Sequence, residues 1–180
     1  MSLGEALSAR IKNVQLAVFD VDGVMTDGSL VYGGGSTGEE IIKVFNTLDG
    51  HGMKMLQRSG VELAIISGRG CKALEKRAEH LGIKHLMQHI ENKAEAYAQL
   101  LQTLGLTPSL VASIGDDVVD LPILLHCGFS AAVPAAPAFV RERVHYVTKA
   151  HGGHGAVREF CEVIMAAQGT LDATLGTYLD

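Results

Sequence analysis

Four groups of polar residues follow short apolar runs, and their residue types suit phosphoryl transfer. They are Asp20 and Asp22 in LAVFDVDGV, Ser67 in IISGRG, Lys93 in HIENKAEAY, and Asp116, Asp117 and Asp120 in SIGDDVVD. Carboxylates gathered at one place repel each other unless a cation lies among them. Oxygen ligands favour a hard ion, Mg²⁺ before Zn²⁺. The sequence therefore predicts a magnesium site built from aspartates.

The separate tasks of phosphoryl transfer can be assigned to these residues. Asp20 is the predicted nucleophile, because an aspartyl phosphate divides one difficult hydrolysis into two easier steps. Asp22 is predicted to protonate the leaving oxygen and later to take a proton from water. Ser67 and Lys93 are predicted to contact the phosphoryl oxygens, where charge builds up during transfer.

The predicted metal site uses the first and last of the acidic groups. Asp116 is expected to complete the metal shell together with the Asp20 carboxylate and the Asp22 carbonyl. Asp117 and Asp120 are expected to orient those ligands from behind. An alternative interpretation of Asp117 and Asp120 is that they are first-turn acids favoured by a helix dipole.

Alternation of apolar runs and amphipathic stretches predicts how these groups are brought together. Predicted strands are Leu16–Asp20, Val61–Ser67, His85–Gln88, Leu110–Gly115, Phe129–Val133 and Tyr146–Thr148. Predicted helices are Gly50–Ser59, Cys71–Leu81, Lys93–Leu104, Leu121–His126 and Ala156–Gln168, several of them followed by glycine. This βα alternation predicts an α/β fold with a doubly wound, Rossmann-like parallel sheet. In such a sheet, ligands bind beyond the carboxyl ends of the strands.

One segment interrupts the βα alternation. Ser29–Tyr32 and Glu40–Phe45 are predicted to form a β-hairpin around the turn Gly33–Gly38, inserted after the first strand. The insertion, residues 29–46, is too short for a second domain, so the chain is predicted to be one domain without a cap. The tail, residues 170–180, shows no clear periodicity and is expected to be flexible.

Composition limits the class of partner and the compartment. The chain has 180 residues and a formal net charge of −5, which disfavours binding to nucleic acid but not to a small phosphorylated substrate. Cys71, Cys127 and Cys161 form no disulfide framework or zinc motif, which favours a reducing compartment. No signal-peptide-like segment or 18-residue apolar run occurs, so we expect a cytoplasmic protein that does not bind membranes.

The sequence resembles the haloacid dehalogenase superfamily of phosphohydrolases. DVDGV, ISG, the Lys93 site and GDDVVD resemble the four motifs of that superfamily, in their usual order. Nearly the whole chain, from about Val14 to Gly169, also resembles one branch of it through DVDGVMTDG, FNTLDGHGMKML and GGHGAVRE. The resemblance implies hydrolysis of a phosphorylated eight-carbon sugar acid, a precursor of bacterial lipopolysaccharide, with Mg²⁺ as cofactor.

Further expectations come from the resemblance alone. It implies substrate contacts besides Asp22 and Lys93, at Asn46, Asp49, Gly50, Lys54, Arg69 and Arg77. It also implies a homotetramer in which a neighbouring subunit covers the site. Independently of the resemblance, the predicted hairpin carries apolar residues along an edge that a monomer would leave unprotected, namely Leu30, Val31, Ile41, Ile42 and Val44.

Three other functions compete with this interpretation. Leu48, Lys54 and His154 depart from the pattern of the branch, so a phosphatase for another acid sugar, such as a nonulosonate 9-phosphate, stays open. A phospho-acceptor of the response-regulator type also uses clustered aspartates, a hydroxyl and a lysine around Mg²⁺. In that class the acidic pair precedes the phosphorylated aspartate along the chain, whereas here the GDD motif comes last. A catalytically silent binding subunit would require a damaged motif, and each of the four motifs is intact.

Overall fold

The central strand is buried on both faces, as expected for a parallel strand covered by helices on each side. In the computed structural model, which describes residues 4–32 and 40–179, this strand is Leu16–Phe19 (β1). Leu16 and Val18 belong to one apolar cluster, and Ala17 and Phe19 belong to the other. Alternate side chains of a strand point to opposite faces, so β1 separates two cores.

The remaining elements follow in chain order. The other strands are β2 (Val31–Tyr32), β3 (Glu40–Ile42), β4 (Glu62–Ile66), β5 (His85–Met87), β6 (Val111–Gly115), β7 (Phe129–Ala132) and β8 (Tyr146–Val147). The helices are α1 (Glu5–Ile11), α2 (Thr47–Arg58), α3 (Lys72–Leu81), α4 (Lys93–Leu104), α5 (Leu121–Leu124), α6 (Ala138–Arg141), α7 (Ala156–Gln168) and α8 (Leu171–Gly176). Two 3₁₀ turns, Pro108–Leu110 and Val118–Asp120, flank β6.

Six strands form one parallel sheet in the order β5-β4-β1-β6-β7-β8. The chain first builds outward from β1 through β4 and β5, and then crosses to the other side of β1 to add β6, β7 and β8. The change of direction lies between β1 and β6, and ligands of such sheets bind at the carboxyl ends next to this point. The predicted doubly wound α/β class is confirmed.

Helices cover both faces of this sheet. Side chains of α2, α3 and α7 belong to the larger cluster, and those of α4 belong to the smaller one. The predicted glycines stand at helix ends with positive φ: Gly60, Gly82, Gly105 and Gly169. Glycine adopts a left-handed backbone without steric cost, so the chain can turn back toward the sheet after each of these helices.

The structure differs from the predicted elements in three places. Helix α2 begins at Thr47 rather than at Gly50, because the Asn46 side chain accepts a hydrogen bond from Leu48 N (2.8 Å) and caps the helix. β2 and β3 pair antiparallel as predicted but are shorter, and the turn Gly33–Gly38 lies outside the described residues. Helices α1, α6 and α8 were not predicted, since 7, 4 and 6 residues are too few for a clear helical period.

Helix α8 lies within the tail that was expected to be flexible, and its flexibility stays a prediction. No helix of the described ranges combines the length and the apolar character needed to cross a bilayer.

Candidate active site

Three adjacent strands bring their terminal polar residues to one edge of the sheet. Phe19, at the end of β1, pairs with Ile65 of β4 and with Ile114 of β6. Asp20 directly follows β1, and Ser67 and Asp116 directly follow β4 and β6. Because the strands are parallel and in this register, the three polar residues must emerge side by side.

Lys93 connects two of the carboxylates. It is the first residue of α4, and its Nζ lies 2.6 Å from Asp20 Oδ1 and 2.6 Å from Asp120 Oδ1. A cation in the first turn of a helix is unfavourable toward the helix dipole, and burial of its side chain (5% exposed) adds a desolvation penalty. The two ion pairs offset both costs, so Lys93 is held inside the site and not on the surface.

Asp120 organises the loop that follows β6. Its Oδ2 accepts hydrogen bonds from Asp116 N (3.0 Å) and Asp117 N (3.2 Å). Gly115 makes room for this arrangement, since a Cβ there would lie 2.5 Å from the Asp120 Cβ. Asp117 is exposed and caps the following 3₁₀ turn through Val118 N (2.7 Å).

Burial and like charge raise the pKa of two of these carboxyl groups. Burial, followed by the charge of Asp120, raises the pKa of Asp20 to about 6 despite the ion pair with Lys93. Burial and the neighbouring aspartates, Asp20 first, raise the pKa of Asp116 to about 8. Burial acts to lower the pKa of Lys93, but Asp20 and Asp120 outweigh it and raise this pKa. The site therefore holds an excess of negative charge that a bound cation would neutralise.

The donor set fits a hard divalent ion. Oxygens of Asp20, Asp116 and Asp120 lie within 4.8 Å of one another. Both oxygens of Asp120 already accept hydrogen bonds, so Asp20 and Asp116 are the better placed direct ligands. Gly23 (φ +87°) admits the Asp116 carboxylate, because a Cβ at Gly23 would lie 2.2 Å from Asp116 Oδ2.

Asp22 lies beside Asp20 and has a partner that the sequence analysis missed. Its Oδ1 forms an ion pair with Lys43 Nζ, and Lys43 directly follows β3 of the hairpin. The available signal was a lysine within the apolar run EEIIKVF, which we interpreted only as a strand. A buried lysine in such a run requires an anionic partner, and nothing in the sequence says which carboxylate it is.

An open cavity of about 360 Å³ lies over these groups. Its lining contains Asp20, Asp22, Gly28, Leu30, Ser67, Gly68, Arg69, Ile90, Glu91, Lys93, Asp116, Asp117 and Val119. Ser67 is buried, and its Oγ accepts a hydrogen bond from Arg69 N (3.3 Å). Arg69 adds a cation to the rim, where its guanidinium also contacts the Tyr32 hydroxyl (3.5 Å).

Five of the residues expected to contact substrate do not line this cavity, and their contact with substrate stays a prediction. They are Asn46, Asp49, Gly50, Lys54 and Arg77. The first four belong to α2 and its N-cap, which begins earlier than predicted and packs against α7. Lys54 is exposed on that helix.

Four of these five residues, Asn46, Asp49, Gly50 and Arg77, instead contact other parts of the fold. Asp49 is buried and accepts hydrogen bonds from Arg158 N (2.9 Å) and Gly155 N (3.3 Å) at the start of α7. Arg77 donates to the Asn46 carbonyl (2.8 Å). A Cβ at Gly50 would lie 2.2 Å from Arg77 Nη2, so the glycine provides space for this guanidinium.

Comparisons with known proteins agree with the fold and with the motifs. The haloacid dehalogenase-like hydrolase family matches residues 32–128. The 3-deoxy-D-manno-octulosonate 8-phosphate phosphatase of Yersinia pestis is 47% identical over 167 residues, which cover 93% of this chain and 88% of that protein.

Solved structures are similar over nearly the whole chain. A probable YrbI family phosphatase from Pseudomonas syringae is 51% identical, with a TM-score of 0.94 and coverage of 98% of this chain and 99% of that chain. The 3-deoxy-D-manno-octulosonate 8-phosphate phosphatase of Moraxella catarrhalis, in complex with magnesium, phosphate and the sugar acid, is 40% identical, with a TM-score of 0.91 and coverage of 96% and 97%. The chain belongs to the haloacid dehalogenase-like hydrolase family.

Proposed function

We propose that this protein hydrolyses 3-deoxy-D-manno-octulosonate 8-phosphate to the free sugar acid and phosphate, with Mg²⁺ as cofactor. The observation that carries the proposal is the Asp20–Lys93–Asp120 cluster beside Asp116 at the carboxyl ends of β1 and β6. The activity and the bound ligands named for the Yersinia and Moraxella relatives support it. The reaction would belong to the synthesis of a lipopolysaccharide precursor in the cytoplasm.

Asp20 is the proposed nucleophile. One carboxylate oxygen forms a bond to phosphorus while the bond between phosphorus and the sugar oxygen breaks. Mg²⁺, held by Asp20, Asp116 and the Asp22 carbonyl, would supply the positive charge that allows one anion to approach another. Lys93 orients the Asp20 carboxylate through its 2.6 Å contact and adds a second positive charge beside the transferred group.

Asp22 is the proposed general acid and base. Its carboxyl group donates a proton to the departing sugar oxygen, and the resulting carboxylate later takes a proton from the water that attacks the aspartyl phosphate. The second step releases phosphate and restores Asp20. Ser67 provides a hydroxyl donor for a phosphoryl oxygen, and Asp117 with Asp120 keeps the Asp116 loop in place.

Substrate recognition requires a cation for the carboxylate of the sugar acid. Arg69 lines the cavity, and the planar guanidinium group suits two parallel hydrogen bonds to a carboxylate. Leu30 and Val119 add apolar side chains to the cavity lining. The cavity is open, so we also propose that the protein is a homotetramer in which a neighbouring subunit completes the cover over the site.

Phosphate release from a panel of sugar-acid phosphates, with and without Mg²⁺, tests the function. We expect turnover of the eight-carbon substrate only with Mg²⁺, and weaker turnover of a nine-carbon nonulosonate 9-phosphate. Asp20→Asn is expected to abolish turnover with the fold retained, whereas Asp22→Asn slows it. A fully active Asp20→Asn variant contradicts the mechanism, and a preference for the nine-carbon compound contradicts the substrate.

A further inference from the structure

A buried cation of the hairpin reaches the proposed acid and base. Lys43 follows β3, and its Nζ forms an ion pair with Oδ1 of Asp22, 21 residues earlier in the chain. The Lys43 side chain is only 2% exposed, whereas the Asp22 side chain, which lines the cavity, is 22% exposed. The lysine therefore approaches Asp22 from the interior and leaves the side facing the cavity open to substrate.

The backbone just after Lys43 is fixed by independent contacts. Phe45 packs against the larger apolar cluster, and the Arg77 guanidinium lies 5.6 Å from its ring centroid. Asn46 caps α2 and also donates from Nδ2 to the Gly153 carbonyl (3.0 Å). The root of the hairpin is therefore tied to both α2 and the loop before α7, so it provides a rigid base for the lysine.

We propose that Lys43 is a positioning residue for the proton transfers of Asp22. The inference rests on the proposed function, in which Asp22 is the general acid and base. A carboxyl group transfers a proton efficiently only when its oxygen points at the reacting atom, and a free aspartate side chain can rotate away from it. The ion pair holds Oδ1, which directs the second oxygen, Oδ2, to the reacting groups.

Oδ2 of Asp22 donates the proton in the first step of the reaction and accepts one in the second. In the first step, the proton moves from Oδ2 to the sugar oxygen as the bond from that oxygen to phosphorus breaks and the bond from Asp20 to phosphorus forms. In the second step, water loses a proton to Oδ2 as its oxygen bonds to phosphorus and the bond to Asp20 breaks. Lys43 keeps its own protons in both steps and only orients the carboxyl group.

The leaving group reveals whether Asp22 is correctly positioned. Phenyl phosphate and 4-nitrophenyl phosphate have similar shapes and no sugar contacts, but the phenyl oxygen is more basic and needs the proton more. The ratio kcat/KM reports the steps up to departure of that group. We expect Lys43→Met to lower kcat/KM about tenfold more for phenyl phosphate than for 4-nitrophenyl phosphate, since general acid catalysis contributes roughly 10²–10⁴-fold.

Matched variants separate positioning from general damage. Lys84→Met removes an exposed lysine just before β5, at the opposite end of the sheet, and should leave both rates unchanged. Lys43→Arg keeps the charge and should restore much of the phenyl phosphate rate. If Lys43→Met melts at a lower temperature, Lys43→Gln provides a second neutral variant, for which the same difference between the two substrates is expected.

Asp22→Asn distinguishes failure of this inference from failure of the proposed function. We expect Asp22→Asn to lose more activity on phenyl phosphate than on 4-nitrophenyl phosphate, and Lys43→Met to add little in that background, because Lys43 acts through Asp22. If Asp22→Asn shows no such preference, its proposed acid role is wrong. If Asp22→Asn shows it but Lys43→Met slows both substrates equally, only the positioning role of Lys43 is overturned.

Discussion

At the scale of single residues, the site gathers several carboxyl groups that are buried or partly buried. The pKa of Asp116 is raised to about 8, and that of Asp20 to about 6, from the ordinary value of 3.8. Burial is the first cause for both groups, and the proximity of the other aspartates adds to it. Without a cation, the site relieves this charge by binding protons, so protons and Mg²⁺ compete for the same oxygens.

This competition predicts a pH-dependent effect of Mg²⁺ on stability. Because both pKa values are higher in the folded than in the unfolded state, the metal-free folded protein binds more protons, and its free energy of unfolding falls as pH rises from 3.8 to about 8. Mg²⁺ should therefore raise the melting temperature more at about pH 8 than at about pH 5.5. Thermal unfolding with and without Mg²⁺ at both pH values tests this. An equal shift at both, or a shift that survives Asp116→Asn, contradicts it.

Gly23→Ala should damage the metal site directly. The new Cβ would lie 2.2 Å from Asp116 Oδ2, on a backbone with φ +87° that an alanine rarely adopts. A displacement of the ligand by about 1 Å is expected to lower kcat/KM by roughly 100-fold and to weaken Mg²⁺ binding. Gly176→Ala, in α8, has nothing within 4 Å of its Cβ and serves as the control. Wild-type Mg²⁺ affinity in Gly23→Ala would refute the close contact.

At the scale of elements, the loop before α7 joins the site to the helical layer. A Cβ at Gly152 would lie 1.7 Å from the Gly23 carbonyl oxygen, and a Cβ at Gly153 (φ +68°) would lie 2.6 Å from Asp27 N. Two glycines are therefore required where this loop contacts the loop after β1. The N-cap of α7, Gly155, has no side chain to cap the helix, and Asp49 of α2 accepts the hydrogen bond from Arg158 N, the third residue of α7, instead.

Asp49→Ala should consequently reduce stability and not substrate affinity. It removes the acceptor for Gly155 N and Arg158 N and leaves these partly buried donors unpaired, which should lower the free energy of unfolding by about 2 kcal/mol. Urea unfolding measures this loss, and Asp172→Ala, at an exposed position of α8, should change it by less than about 0.5 kcal/mol. An increased KM with unchanged stability would show instead that Asp49 contacts substrate, as the family resemblance implied.

At the scale of the whole molecule, the hairpin region, residues 29–48, carries exposed apolar side chains and also contributes to the lining of the open cavity. Val31, Ile42, Val44 and Leu48 are 39%, 49%, 69% and 61% exposed, and Leu30 of this hairpin region lines the cavity. Exposed apolar side chains clustered along a short two-stranded ribbon favour association with another chain. The same association would bring a second subunit close to the site.

Val44→Glu should therefore weaken assembly. We expect light scattering to give the mass of a tetramer for the unaltered protein and a smaller species for Val44→Glu, because a charge would have to be buried at the interface. Leu125→Glu changes another apolar residue, 54% exposed and outside the hairpin, and should leave the mass unchanged. A monomeric wild-type protein at working concentration contradicts the oligomer and with it the subunit cover.

The sequence by itself determined the fold class and the position along the chain of the polar groups that form the candidate site. Apolar runs ending in Asp20, Ser67 and Asp116 predicted strands whose carboxyl ends meet, and the sheet order confirms that β1 lies between β4 and β6. These features are local, because strand periodicity and strand-end polarity are properties of a few neighbouring residues. In a parallel sheet the carboxyl ends of neighbouring strands lie side by side, so these local features are enough to place the polar residues close together.

Only the tertiary structure decided which side chains pair across long distances. The ion pair between Lys43 and Asp22 joins residues 21 positions apart. Lys93 contacts Asp20, 73 positions away, and Asp120, 27 positions away. Asp49 accepts hydrogen bonds from residues of α7 and its N-cap that lie 106 or more positions away. The sequence does not show which carboxylate a lysine will pair with, because any carboxylate within reach can form the ion pair. The packing of α2 against α7 selects Asp49 as the cap of α7, and the position of Lys43 beside the loop after β1 selects Asp22. Asn46, Asp49 and Gly50 lie outside the cavity lining as a result of where α2 packs.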